Sequence, residues 1–220
     1  MLPRLVCLTL ILVSSAFAAE PTGNLALWSV EQMPGGRVTV SGETLVIEDV
    51  GGSTVWWRER IQAPCEITYD VTVVSRGGPF DRVSDLNCFW MAQDPKSPGQ
   101  RPSGRSGKFS DYDSLFTYYV GYGGNNNSTT RFRRYDGTAA RPLLPEHDRR
   151  EQPLLLAPNH TYRIRLVARD GIAEYWRDGE KIFTFPDPLP LTAGWFAFRT
   201  VKSHLEVRNF AVKSIGPARP

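Results

Sequence analysis

The chain has 220 residues, a formal net charge of +3 and only three cysteines. The charge is too near neutral for nucleic acid as main partner, which calls for a strongly basic footprint. The length suits one all-β domain, a class that commonly runs to about 200–250 residues and buries its core without covalent staples.

The first residues read as a secretory signal. Arg4 is the charged start, residues 5–13 form a short apolar run, and Ala16-Phe17-Ala18 is an A-x-A cleavage site. The run is too short to span a bilayer, which needs about 20 residues. Cys7 lies inside it rather than after the small residues, which argues against a lipid anchor. The mature chain is therefore expected to start at Ala19, with residues 19–220 as a single β-sandwich domain. It is expected to be periplasmic or secreted, not inserted in a membrane after cleavage, and monomeric.

After the signal, short alternating segments follow one another with turn residues between them. Strands are predicted over 25–32, 37–40, 43–48, 54–61, 65–75, 84–92, 115–122, 128–135, 161–169, 172–177, 180–185, 194–201 and 205–213. Pro34-Gly35-Gly36, Gly77-Gly78-Pro79 and Asp178-Gly179 supply turn geometry between them. In the run from Glu66 to Val73 the odd residues are apolar and the even ones polar, so the interior lies on the odd side. About a dozen strands of this kind predict an all-β, two-sheet antiparallel jelly-roll sandwich. Two irregular stretches, 93–113 and 136–158, exceed the usual loop length and adjoin polar strands, which predicts walls around a cleft. Cys65 and Cys88 could pair in an oxidising compartment. Cys88 shares the apolar parity of Leu86 and Trp90, however, which favours a small buried hydrophobe.

Four strands carry an unusual polar side. Parity places Asp85 and Asn87, Tyr119, Arg131 and Arg133, and Trp195 and Arg199 on non-core faces, with His204 just beyond the last strand. Asn125 stands in a glycine-flanked loop tip. Side chains of this kind suit a polar, anionic ligand, and an outward Trp195 could stack on a sugar ring. Glycoside hydrolysis needs two carboxyl groups within about 10 Å. Glu66 and Asp70, four residues apart on one strand, are about 13.6 Å apart and cannot be that pair. β-Elimination of a uronic acid glycan needs none. Arg and Asn neutralise the carboxylate next to the acidic proton, and Tyr or His removes that proton. The expected catalytic set is Tyr119, His204, Arg199 and Asn87, with Asp85, Arg131, Arg133, Trp195 and Asn125 binding substrate. Asp49, Asp136 and Glu146 show no calcium-loop spacing, and neither a metal nor another cofactor is implied.

The blocks RVSDLNCFWMAQDP, SGKFSDYDSLFTYYVGYGGNNNSTTRFRRYDG and GWFAFRTVKSH resemble a bacterial secreted family of unknown function. Its members look like concanavalin A/laminin G-type jelly rolls from polysaccharide-degrading bacteria. The resemblance spans most of residues 25–213. It implies this fold and a polysaccharide or oligosaccharide partner, and it supplies no catalytic residue. The expected function is a secreted carbohydrate-active protein, foremost a polysaccharide lyase on an acidic glycan. The alternatives are a non-catalytic, lectin-like binding module and a hydrolase of modified sugars.

Overall fold

A computed structural model describes residues 21–216; the signal segment predicted over 1–18 lies outside them. In chain order the strands are β1 Trp28–Gln32, β2 Arg37–Ser41, β3 Thr44–Glu48, β4 Ser53–Trp57, β5 Ile61–Gln62, β6 Cys65–Val73, β7 Leu86–Gln93 and β8 Phe116–Gly123. They continue with β9 Thr129–Asp136, β10 Asp148–Arg149, β11 Thr161–Arg169, β12 Ile172–Arg177, β13 Glu180–Pro186, β14 Ala193–Thr200 and β15 His204–Ser214. One eight-stranded sheet runs β1-β4-β14-β7-β8-β9-β10, with β5 beside β14. A seven-stranded sheet runs β13-β12-β11-β6-β15-β3-β2, and the pairs of both sheets are antiparallel. The two-sheet antiparallel sandwich is the architecture that the strand spacing predicts.

Alternation builds the interior. Along β6 every second residue from Cys65 to Val73 is buried, and these residues face Tyr162, Ile164 and Leu166 of β11 across the register. The opposite sheet contributes Leu86, Cys88, Trp90, Tyr118, Val120, Phe132, Phe196 and Phe198 to the same cluster. Fully burying one such side chain contributes about 1.5–3 kcal/mol. Cys65 and Cys88 sit on opposite sheets, both buried and both free. They pack as small hydrophobes, and no disulfide forms. Burial pushes the Cys65 thiol up to about 11 and the Cys88 thiol up to about 12.

The structure corrects two segments. The strand predicted over 54–61 is two strands, because the charged Arg58, Glu59 and Arg60 turn out to solvent between them. The 136–158 stretch is not wholly irregular. It contributes β10 to the sheet edge and buries Leu154 and Leu156.

The eight-stranded sheet has a second apolar layer on its outer face. Trp56, Phe89, Tyr119, Tyr135, Trp195 and Ala197 point away from the sandwich interior and pack with Tyr112 and Leu115, while Phe109 borders the layer. The 94–115 segment therefore lies across the sheet as a cover. Gly107 makes the close approach: with φ of +94°, a Cβ there would stand 2.6 Å from the Gly52 oxygen and 2.7 Å from the Met33 nitrogen. Glu31, itself buried, pins the cover by accepting hydrogen bonds from Tyr112 Oη at 2.9 Å, the Arg105 N–H at 2.9 Å and Trp56 Nε1 at 2.9 Å.

Candidate functional site

One cross-strand row on the outer face of the eight-stranded sheet reads Thr54, Arg199, Asn87, Gly121, Arg131, Asp148. The next row reads Trp56, Ala197, Phe89, Tyr119, Arg133. Residues opposite one another on antiparallel strands share a face, so each row is a line of neighbouring side chains. Gly121 has none, and the Tyr119 ring leans into that space: a Cβ on Gly121 would stand 2.7 Å from the Tyr119 hydroxyl. The phenol oxygen thus occupies the middle of the polar row.

Arg199 is 0 % exposed. Its Nη1 donates to Thr54 Oγ1 at 3.2 Å and to the Gly107 carbonyl, while Nε and Nη2 have no hydrogen-bond partner among the described residues. The guanidinium lies over the Phe109 and Tyr112 rings at 5.2 and 5.4 Å, and burial draws its pKa down. Asn87, also buried, donates to Asp85 Oδ1 at 3.3 Å and leaves its own Oδ1 without a partner. Asp85 accepts further bonds from Ser84 Oγ at 2.7 Å and Arg82 Nη1 at 3.1 Å. Burial, with Tyr135 and Asp85 nearby, pushes the Tyr119 hydroxyl well above its ordinary value.

Toward the free end of the row the face opens. Arg131 holds Asp148 through Nε at 2.7 Å and Nη2 at 3.2 Å. Arg133 donates to the Arg141 carbonyl, and desolvation lowers its pKa. Asn125 is exposed at the loop tip and donates to Thr129 Oγ1 at 3.2 Å. The next residue, Asn126, accepts from Arg82 Nη2. The two long stretches meet over this face: Arg141 lies 3.7 Å from Asp113 and 5.7 Å from the Phe109 ring centroid. They close part of the face rather than standing apart as walls of an open cleft.

Two predicted residues fall elsewhere. Trp195 faces outward, as its parity requires, but it is 5 % exposed, inside the covered layer beneath Arg60. It offers no open stacking platform. His204 begins β15 of the seven-stranded sheet, where Leu205 and Val207 point inward and His204 therefore outward. Its Nδ1 is 2.9 Å from Asp81 Oδ1. It belongs to the opposite outer face, away from Arg199, Asn87 and Tyr119.

The seven-stranded sheet holds a polar basin of about 440 Å³ absent from the sequence reading. Asp70, Thr72, Thr161, Glu206, Arg208 and Asn209 line it, with Arg76 and Asn159 from adjoining turns. Alternation in β6 turns Asp70 and Thr72 outward. Pairing β15 beside β6 then sets Glu206 opposite Thr72 and Arg208 opposite Asp70. A bulge after Arg208, with Asn209 at φ of +54°, aims Asn209 Nδ2 at Asp70 Oδ2, 2.6 Å away.

The profile of one protein family matches residues 47–210. The chain belongs to the DUF6250 family, a domain of unknown function. Nothing of established function among curated proteins matches the chain in sequence. The DUF6250 chain is similar in structure to a Bacillus subtilis protein of unknown function with a galectin-like fold, at 19% identity and a TM-score of 0.68, covering 90% of this chain and 96% of that one. It is also similar to the carbohydrate-binding module CBM66 from Bacillus subtilis, at 11% identity and a TM-score of 0.58, covering 86% and 96%. The exoplasmic/lumenal domain of VIP36, in a form bound to Ca²⁺ and Man3GlcNAc, matches at 11% identity and a TM-score of 0.57, covering 91% and 89%. At these identities the likeness shows that the DUF6250 chain shares their fold. No helix among the described residues is long and apolar enough to cross a membrane.

Proposed function

We propose that this DUF6250 protein is a secreted glycan-binding protein that recognises an acidic saccharide on the outer face of its eight-stranded sheet. The cross-strand row carries the reading. Arg199, Asn87 and Arg131 share one line, with the Tyr119 hydroxyl filling the space over Gly121 at its centre. Polar atoms of Arg199 and Asn87 are left without partners in a buried setting. Buried polar atoms are almost always satisfied, so orphans gathered on one row favour a ligand that supplies hydroxyl and carboxylate oxygens once the 94–115 cover over Arg199 lifts. Asp85, Arg131, Arg133 and Asn125 form its accessible rim. A fold shared with a carbohydrate-binding module and with a lumenal domain bound to Man3GlcNAc supports the saccharide class, although fold alone does not assign function.

The experiment is calorimetric titration with polygalacturonate and alginate beside neutral glucan. Arg131→Gln with Arg133→Gln is expected to weaken binding of the acidic polymers about tenfold or more, because charge-assisted bonds contribute about 1.5–3 kcal/mol each. Equal binding of neutral and acidic polymers, or binding lost instead in Asp70→Asn with Glu206→Gln, overturns the assignment to this face.

The second reading is β-elimination at the same row. The Tyr119 hydroxyl stands between Asn87 and Arg131, where a proton acceptor is required. Its raised pKa and the cover over Arg199 mean that the 94–115 segment has to lift before chemistry. Appearance of unsaturated product absorbance, lost in Tyr119→Phe, separates cleavage from binding.

A further inference from the structure

The cover carries a carboxylate into the glycan face. Residues 109–112 form one 3-10 turn, and Asp113 closes it, its N–H donating to the Ser110 carbonyl at 3.3 Å. The turn sets two side chains over the row. The Phe109 ring centroid lies 5.2 Å from the Arg199 guanidinium, 5.7 Å from that of Arg141 and 5.5 Å from the Tyr119 ring. Asp113 reaches the open end of the face, where its Oδ2 is 3.7 Å from Arg141 Nε.

The Asp113 charge is poorly compensated. At 3.7 Å it makes no hydrogen bond to Arg141, and its Oδ1 is buried without a partner among the described residues. Burial pushes the Asp113 carboxyl above its ordinary pKa, against the pull of Arg141 and Arg133. The Tyr135 hydroxyl, close enough to feel that charge, is also buried without a partner. The two cations hold unused donors. Arg133 donates to the Arg141 carbonyl alone, and no hydrogen bond from the Arg141 guanidinium is found among the described residues. The strap places Arg141 at a backbone cost, with Ala139 at φ of +66° and Arg141 at +48°.

Given an acidic glycan on this face, we propose that Asp113 is an internal stand-in for the ligand carboxylate: it occupies the anion position facing Arg141 and Arg133, and a uronate of the glycan displaces it and releases that end of the cover. Arg141 is then a specificity residue, which strand parity does not reveal because it lies in a loop. Geometry favours the exchange. A ligand carboxylate is free to meet a guanidinium fork at about 2.7–2.9 Å, which Asp113 on its short turn does not. Displacement also returns a partly buried, half-satisfied carboxylate to water. Phe109 and Asp113 share one turn, so loosening Asp113 draws the Phe109 ring away from Arg199 and Tyr119. A neutral saccharide has no charge to exchange and leaves the contact closed.

The test pairs calorimetric titration with amide exchange, using polygalacturonate and alginate beside neutral glucan. Asp113→Asn is expected to bind the acidic polymers about fivefold or more tighter than wild type, the scale of one partly exposed ion pair. Arg141→Gln removes the same contact from its other side and is expected to weaken them about fivefold or more. A contact that only holds the cover moves both variants in the same direction. Glu146→Gln makes an equal change of charge at an exposed site, and screening should keep its effect below about twofold. Amide exchange in 107–115 is expected to speed up in Asp113→Asn without ligand, and in wild type on adding acidic polymer but not glucan. The wild-type measurement stands whether or not a variant folds. Acidic polymer bound no more tightly by Asp113→Asn, an equal gain in Glu146→Gln, tighter binding by Arg141→Gln, or exchange in 107–115 unmoved by acidic polymer overturns the displacement and leaves the glycan face standing. Acidic polymer bound by neither wild type nor Asp113→Asn overturns both.

Discussion

Arg199 is a cation placed where charge is costly. It is fully buried, no carboxylate pairs with it among the described salt bridges, and two of its three nitrogens lack partners. Removing an ion from water costs several kcal/mol after relaxation, more than two ring contacts of about 0.5–2 kcal/mol each return. Arg199→Met is therefore expected to raise stability by about 1 kcal/mol and to weaken acidic glycan binding. Urea midpoints and titration check both, and a lowered midpoint would identify a purely structural arginine. His204 has a different role, as a clamp on the turn that holds Asp81. Desolvation works to raise the Asp81 carboxyl, but bonds from the Arg76 and Gly78 N–H groups and from His204 outweigh it and hold its pKa below the ordinary value. A depressed carboxylate contributes stability above its unfolded pKa of about 3.9, lost as pH falls through the lower folded value. Asp81→Asn should then cost about 1–3 kcal/mol at pH 7 and nothing once both chains are below that window. Denaturation midpoints measured from pH 7 downward show whether the gap closes.

The 94–115 segment decides what the polar sheet face can do. Its aromatic residues cover the outward Phe89, Trp195 and Tyr135, and Glu31 fastens it through two of its donors, Tyr112 Oη and the Arg105 N–H, while also accepting from Trp56 of the sheet. The Arg105–Asp94 pair, with side chains 9% and 8% exposed, closes the base of the segment on itself. Glu31→Ala leaves those donors without a buried acceptor, each worth about 1–3 kcal/mol. The expected cost is about 3 kcal/mol, with new protease cleavage inside 95–106 detectable by mass spectrometry. Unchanged proteolysis would mean that apolar packing alone holds the cover. The composition of this stretch, rich in Pro, Gly, Ser and basic residues, together with its length, reads as the wall of a cleft and not as a docked cover. Phe109, Tyr112 and Leu115 are the signal that it docks, since an apolar triplet at the end of a polar loop needs a surface to bury it.

Across the molecule, pairing joins strands far apart in the chain: β14 lies between β4 and β7, and β15 between β6 and β3. Such non-local pairing places folding in the millisecond-to-second class. The two buried thiols report on it. With burial raising both pKa values, Cys65 and Cys88 should resist a thiol-specific reagent in the native protein and react at the rate of global opening. Rapid labelling of either in native buffer would place it on a locally opening edge instead.

Alternation along the chain identified the strands and the face that each polar side chain takes, because a period of two is local to the backbone. Asn87, Tyr119, Arg131, Arg133 and Arg199 could be assigned to outer faces from their own neighbours. Which of those faces coincide was not legible. His204 follows Arg199 by only five residues and also points outward, yet the turn between β14 and β15 carries it to the other sheet. Trp195 points outward and is still covered, and Asp70 meets Asn209 only because β15 bulges beside β6. Strand order and the docking of long segments follow from burying apolar surface contributed by distant parts of the chain, and no local pattern encodes that sum.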